Sequence, residues 1–264
     1  MTTIDGIILG AVQGLTEFIP VSSSGHVILM EYLLSGASSH LFVEWINVGT
    51  VLALLVFFRR RIWSILQDIV VKKDYRLARN IVVACLPAGV LGFVLSDFIS
   101  EAAFFTSVWT VVGALVVLGV VMIVIEKLPR LSEVSSLGKL SWRRALAIGC
   151  AQVLALVPGT SRSGSTIVAG RLLGLDRARA AEFSFLISIP IMLGVLLKLV
   201  VKASDRAYFV DNAVLLVVAN IVAFAAGLAA VGFLMKFLER HQLAVFGWYR
   251  LALALVIATV LLVQ

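Results

Sequence analysis

The chain has 264 residues, of which 61% are hydrophobic and only 14% charged. A soluble domain carries about 25% charged residues, so this composition, with a mean hydropathy of +1.07, excludes an ordinary soluble domain and points to a polytopic membrane protein. The net charge of +7 does not signal a nucleic-acid partner, because the basic residues fall in short stretches between apolar segments, where membrane topology accounts for them.

The first apolar region, residues 5–34, is interrupted by Glu17, Pro20 and three serines. It has no basic leader and does not read as a cleaved signal peptide. At its centre lies Gln13-Gly14-Leu15-Thr16-Glu17-Phe18-Ile19-Pro20-Val21-Ser22-Ser23-Ser24-Gly25-His26. A carboxylate, three hydroxyls and an imidazole are expensive to bury at membrane depth, so the stretch marks a functional site.

A membrane-spanning helix needs about 20 mostly apolar residues. Six stretches qualify: 42–58, 80–97, 107–125, 181–201, 213–235 and 243–263. A second interrupted region, 144–175, is broken by Pro158-Gly159-Thr160-Ser161-Arg162-Ser163-Gly164-Ser165. Each half of the two broken regions is too short to cross. Both therefore read as re-entrant helix pairs, tolerable only where protein or a water-filled cavity surrounds the break.

Basic residues set the orientation. Arg59, Arg60, Arg61, Lys72, Lys73, Arg76 and Arg79 follow the first span; Lys127, Arg130, Lys139, Arg143 and Arg144 follow the third. Arg177 and Arg179 come after the second broken region, and Lys236 and Arg240 lie between the last two spans. Residues 35–41 hold no Lys or Arg, and 97–106 carries only Asp97 and Glu101. Positive loops face the cytoplasm, which puts both termini outside.

The expected fold is an all-α integral membrane protein with six transmembrane helices and two re-entrant pairs. It forms a single membrane domain, 1–264, built as an inverted-topology repeat, about 1–126 and 140–264. Pro20-Val21-Ser22-Ser23-Ser24 resembles Pro158-Gly159-Thr160-Ser161-Arg162, Gln13 and Gln152 precede the two prolines, and Glu44 sits where Glu182 does. Inverted repeats place their sites where broken helices meet near the midplane.

Ser22 or Ser23 can cap one returning helix, and Thr160 or Ser161 the other. Two helix N-termini aimed at one spot make an anion site, and Arg162 adds a fork of donors suited to phosphate. Gly14, Gly25, Gly159 and Gly164 leave room for close approach of backbone or ligand. No metal cluster of the usual type and no nucleotide-binding Gly-rich loop accompanies these residues.

The two polar stretches resemble those of the undecaprenyl-diphosphate phosphatase family, also called bacitracin-resistance proteins. One motif is Glu/Gln-x-x-x-Glu followed by Phe-x-Pro-Val-Ser-Ser-x-Gly-His, here Gln13, Glu17 and Pro20 to His26. The other is Pro-Gly-x-Ser-Arg-Ser-Gly, here Pro158 to Gly164. The likeness covers the chain in length and segment order. It implies hydrolysis of a C55 polyprenyl diphosphate to the monophosphate and orthophosphate. That reaction regenerates the lipid carrier for peptidoglycan synthesis and confers bacitracin resistance. The location implied is the bacterial inner membrane, with the site open toward the outer leaflet.

Among the site residues, Arg162 is expected to clamp diphosphate oxygens and stabilise charge as the P–O bond breaks; the alternative is an arginine reaching to the interface. His26 is a candidate nucleophile or acid/base, against a packing role. Ser23 is a candidate nucleophile activated by His26, or a phosphate donor, or a cap. Glu17 is expected to orient His26, accept a proton or hold a cation, against a buried neutral glutamate. Gln13, Ser22, Ser24, Gly25, Thr160, Ser161 and Ser163 are expected to bind substrate. Many relatives have Glu where Gln13 stands, so Glu17 is the one carboxylate left to hold Mg²⁺ or Ca²⁺; no nucleotide or organic cofactor is expected.

Glu44 and Glu182 suit helix starts, His40 and His241 solvated loops, and Asn47 and Asn220 bridges between helices. Cys85 and Cys150 read as buried free thiols. Trp45, Trp63, Trp109, Trp142 and Trp248 read as an interfacial belt. The expected partners are the polyprenyl diphosphate and membrane lipids, and a homodimer is compatible with so compact a chain. Topology alone also suits a polyprenyl-phosphate transporter working through the same anion site. The combination of Ser, His, Glu and Arg favours the hydrolase.

Overall fold

The structure is a computed structural model that describes residues 1–34, 39–128 and 133–263. It is helical throughout, with no strand among the described residues. The first half runs α1 (Thr3–Phe18), α2 (Ser23–Leu33), α3 (His40–Phe57), α4 (Arg59–Val70), α5 (Arg76–Val94), α6 (Ser96–Glu101), α7 (Ala103–Thr106) and α8 (Val108–Ile125). The second runs α9 (Trp142–Val153), α10 (Arg162–Leu172), α11 (Arg177–Val201), α12 (Ala203–Asp211), α13 (Ala213–Arg240) and α14 (Ala244–Val263). Six of these, α3, α5, α8, α11, α13 and α14, are long and apolar enough to cross a membrane.

Both broken regions are helix–break–helix units, and each break has a local cause. A capping box between Thr2 and Asp5 starts α1, and the chain leaves the helix at Ile19, just before Pro20, where the proline ring disfavours α-helical geometry. Likewise α9 tightens into a 3-10 turn, Leu154–Leu156, and turns extended at Val157, just before Pro158. Each returning helix is capped by a serine at positive φ, Ser22 (φ 75°) for α2 and Ser161 (φ 66°) for α10, whose hydroxyls accept from the N–H of Gly25 and Gly164. These caps match Ser22-Ser23-Ser24-Gly25 to Ser161-Arg162-Ser163-Gly164. The register is therefore one residue off the proline-on-proline match read from the sequence, because the second break holds one more residue between proline and cap.

The first helix of each pair is held by a long span from the other half: α1 lies along α13, and α9 along α5. Small residues permit this. A Cβ on Gly10 would sit 2.4 Å from the Ala219 carbonyl oxygen, one on Gly14 2.5 Å from that of Ala223, and one on Gly149 2.3 Å from that of Ala84. In an apolar medium, where hydrophobicity does little to drive helix association, such backbone contact supplies the packing. Beneath the breaks, Phe18 meets Phe185 edge-on at 5.7 Å and Phe58 lies 5.9 Å from Phe185.

Several expectations need correction. The stretches read as loops after the first span and at 97–106 are largely helical, as α4 and as α6 with α7, and the segment after α11 is helical too, as α12. Cys85 is half-buried and Cys150 is exposed, because Cys150 lies on the outward side of α9, where an apolar sequence can face lipid as well as core. Trp45 is no belt residue: it is buried, donates to the Asp205 carbonyl at 3.1 Å and packs on Phe209. The other four tryptophans are at least partly exposed. Residues 35–38, part of the stretch without Lys or Arg, and Arg130 lie outside the described residues.

Candidate active site between the two helix breaks

The breaks meet around a cavity of about 370 Å³. Its polar wall comes from Gln13, Glu17, Ser22, Ser23 and Ser24 of the first unit, Asn47 of α3, and Gly159, Ser161 and Arg162 of the second. Its apolar wall comes from Val43, Ala155, Leu156, Ile191, Met192, Val195 and Leu196.

Glu17 is the hub. It sits on the last turn of α1, and Arg162, the first residue of α10, donates to its Oε1 at 2.9 Å from 145 residues away in sequence. Both side chains keep 14% of their surface exposed, so the pair faces the cavity rather than the core. The other oxygen, Oε2, accepts from Ser23 Oγ at 2.8 Å and from Gln13 Nε2 at 2.9 Å. Gln13, one turn before Glu17 on the same helix face, also donates to Asn47 Oδ1 at 2.8 Å. Asn47 thus bridges α1 and α3 as expected and in addition lines the cavity. The two breaks touch directly where the Gly159 N–H donates to Ser24 Oγ at 3.1 Å.

Other residues singled out from the sequence are placed differently. Ser23 bonds to Glu17, and the expected activation by His26 is not what the geometry provides. The His26 ring lies outside the cavity lining. Its Nδ1 meets the Ser22 carbonyl and its Nε2 the Tyr249 hydroxyl, each at 2.7 Å, with the two rings nearly parallel. Glu17 therefore orients Arg162 and Ser23 rather than His26. Thr160, Ser163 and Gly25 stand behind the cavity surface: Thr160 and Ser163 are buried, Ser163 Oγ is 3.2 Å from Ser161 Oγ, and Gly25 gives its N–H to the Ser22 cap. Of the four glycines read as room for backbone or ligand, Gly14 and Gly159 each admit a backbone carbonyl, while Gly25 and Gly164 lie against side chains. A Cβ on Gly159 (φ 89°) would lie 2.6 Å from the Val111 carbonyl, and one on Gly164 2.7 Å from Met122. Gln152, matched to Gln13 by its place before the proline, is buried with no hydrogen-bond partner for its amide among the described residues and takes no part in the cavity.

Two residues escaped the sequence reading. Tyr249 is the His26 partner, and nothing in the sequence signals it. Arg250 is fully buried and donates to main-chain oxygens of both breaks. Its signal was available: an ionisable residue inside the sixth apolar span is costly unless it does something. On the expected cytoplasmic side, Arg61 pairs with Glu182 at 2.7 Å, and Arg177 forks onto Glu126, which also accepts the Leu243 N–H. Glu182 is thus half of an ion pair between α4 and α11, more than a dipole complement.

Among the described residues no three His, Cys, Asp or Glu side chains cluster as a metal cage. Both oxygens of Glu17 are already engaged by protein donors, so the donor set does not make a protein-held site for Mg²⁺ or Ca²⁺.

Fold and site together define a six-span helical membrane protein with a charged cavity where two broken helix pairs meet. A family model described as Bacitracin resistance protein BacA matches residues 6–256, and the chain belongs to that family. It is 38% identical over 263 residues to an undecaprenyl-diphosphatase 2 of Paramagnetospirillum magneticum, covering 99% of this chain and 100% of the relative. It is 40% identical to an undecaprenyl-diphosphatase 2 of Pseudomonas fluorescens, covering 97% and 93%, and 38% identical to an undecaprenyl-diphosphatase 1 of Clostridioides difficile, covering 95% and 93%.

Proposed function

We propose that this protein is an undecaprenyl-diphosphate phosphatase, which hydrolyses the lipid diphosphate to its monophosphate and orthophosphate and returns the carrier to peptidoglycan synthesis. One observation carries the reading: a hydroxyl, a carboxylate and a guanidinium, Ser23–Glu17–Arg162, joined by hydrogen bonds of 2.8 and 2.9 Å at the meeting point of two helix N-termini. A cavity that only carried an anion has no need of a serine hydroxyl pointed at a carboxylate.

In this reading the Ser23 oxygen attacks the terminal phosphorus while Glu17 takes its proton. The bond from that phosphorus to the bridging oxygen breaks, and the polyprenyl monophosphate leaves with that oxygen. Water then attacks the phosphoserine, releases orthophosphate and restores the Ser23 hydroxyl. Arg162 turns from Glu17 alone to share its fork with the phosphoryl oxygens as charge builds on them. The N-terminal N–H groups of α2 and α10 add partial positive charge from both sides. Gln13, Asn47 and Ser24 supply further polar contacts around the headgroup.

The topology proposed is two re-entrant pairs, α1–α2 and α9–α10, in inverted repeats of about 1–126 and 140–264, within one membrane domain of the bacterial inner membrane. The reciprocal packing of α1 on α13 and α9 on α5 supports it, as do the paired serine caps. With basic loops inside, α3 begins and α11 ends at the outer face. Val43, Asn47 and Ile191 to Leu196 then lie in the outer half, which supports a site open to the outer leaflet. The apolar wall suits the first isoprene units of the lipid.

The test is orthophosphate release from a polyprenyl diphosphate by purified protein in detergent. Wild type should turn over, and Arg162→Ala should lose nearly all turnover while remaining folded. An active Arg162→Ala protein would rule out the site; no release by the wild type would rule out the reaction.

A further inference from the structure

We propose that Arg250 is a positioning residue for this reaction: a buried strut that sets the two breaks at their working separation and, through them, the distance between Ser23 and Arg162. The inference rests on the phosphatase reading and deepens it.

The guanidinium is fully buried, yet its five hydrogen bonds among the described residues all end on main-chain oxygens. Its Nη1 reaches the Pro20 carbonyl at 3.4 Å, in the first break. Its Nη2 reaches Gly159 at 2.8 Å and Thr160 at 3.4 Å, in the second. Nη2 also meets the Ala114 carbonyl at 3.1 Å, and Nε that of Leu115 at 3.4 Å, both on α8. A buried cation of this kind is costly to retain. Three of the oxygens it serves lie in non-helical backbone, which would otherwise be left without partners at membrane depth. One rigid fork serving both breaks is something lysine, a single point donor, cannot reproduce.

The fork also has a consequence for the cavity. In a trans peptide the C=O and the following N–H point opposite ways. Anchoring the Thr160 carbonyl on Arg250 therefore turns the Ser161 N–H away from it, and Ser161 is a cavity-lining residue. Ser23 lies three residues beyond Pro20, and Arg162 two beyond Thr160, so each reacting side chain is a short chain length from an anchored carbonyl.

The sequence provides for the strut's depth. Gly119 of α8 and Gly247 of α14 face each other, and a Cβ on Gly119 would lie 3.0 Å from the Gly247 carbonyl. That contact brings α14 onto α8 one turn before Arg250. Gly159 lies against Val111 of the same helix, so α8 is the common floor for the strut and the second break.

The experiment compares Arg250→Lys and Gly119→Ala with wild type, as full-length protein in detergent, by kcat, KM and thermal unfolding. The first keeps the charge and loses the fork. The second keeps the arginine and wedges α14 off α8 by a few tenths of an ångström. Each should lower kcat at least tenfold while KM stays within about threefold and the unfolding temperature of Gly119→Ala stays close to wild type. A purely structural role predicts instead that activity falls only with the folded fraction. Wild-type kcat in whichever variant folds overturns the assignment. A wild type that releases no orthophosphate overturns the functional reading instead, so the two failures are distinct.

Discussion

Glu17→Gln is the sharpest test of the chemistry, because glutamine keeps the shape of the side chain and changes only its charge and hydrogen-bonding sense. Three donors converge on the carboxylate: Arg162 at 2.9 Å, Ser23 at 2.8 Å and Gln13 at 2.9 Å. The amide offers one acceptor. If its oxygen meets Arg162, its NH₂ faces Ser23 and the Gln13 amide. Ser23 must then rotate to accept, and its proton has no acceptor during attack. Loss of general-base assistance costs about 10²–10⁴ in rate, or about 2.7–5.4 kcal/mol at ~1.36 kcal/mol per factor of ten. Arg162 and the two helix N-termini remain, so ground-state binding should change little. We expect kcat to fall about 10²–10⁴-fold with KM within about threefold, measured as orthophosphate release in detergent alongside thermal unfolding. A folded Glu17→Gln protein with kcat within tenfold of wild type would refute the role of Glu17 as proton acceptor.

His26 and Tyr249 separate turn geometry from ring contact. His26→Ala removes the ring contact to the Ser22 carbonyl at the strained cap, leaving only the longer 3.4 Å bond from the residue 26 N–H, and should lower kcat at least tenfold. Tyr249→Phe leaves that contact in place and should lower kcat less than threefold; the reverse order would mean that His26 acts through Tyr249. Gly149→Ala tests the packing that holds the second unit. Its Cβ would meet the Ala84 carbonyl at 2.3 Å, and overpacking of this kind costs about 1–3 kcal/mol. A lowered unfolding temperature is expected, and an unchanged one would contradict the close approach of α9 to α5.

The six spans and the two broken regions were legible because their causes are local. About 20 apolar residues make a span, a proline next to polar and small residues disfavours helix at the residue before it, and a serine can cap the next helix. The motif residues of the two breaks, Glu17 and Arg162 above all, stood out because charge in apolar sequence is costly. Which of them meet was not legible. A bilayer is as apolar as a helix core, so the hydrophobic pattern of a span such as α8 does not say which face turns inward. That is why Cys150 came out exposed, Trp45 buried, and His26 turned toward Tyr249, 223 residues away, instead of toward Ser23. The sequence by itself determined the six spans, where two further apolar regions break and which polar groups lie at those breaks. Only the tertiary structure decided that Glu17 joins Arg162 and Ser23, that Asn47 lines the same cavity, and that Arg250 ties both breaks together. Those pairings depend on helix rotation and depth, which backbone contacts between glycines and carbonyls set and composition does not.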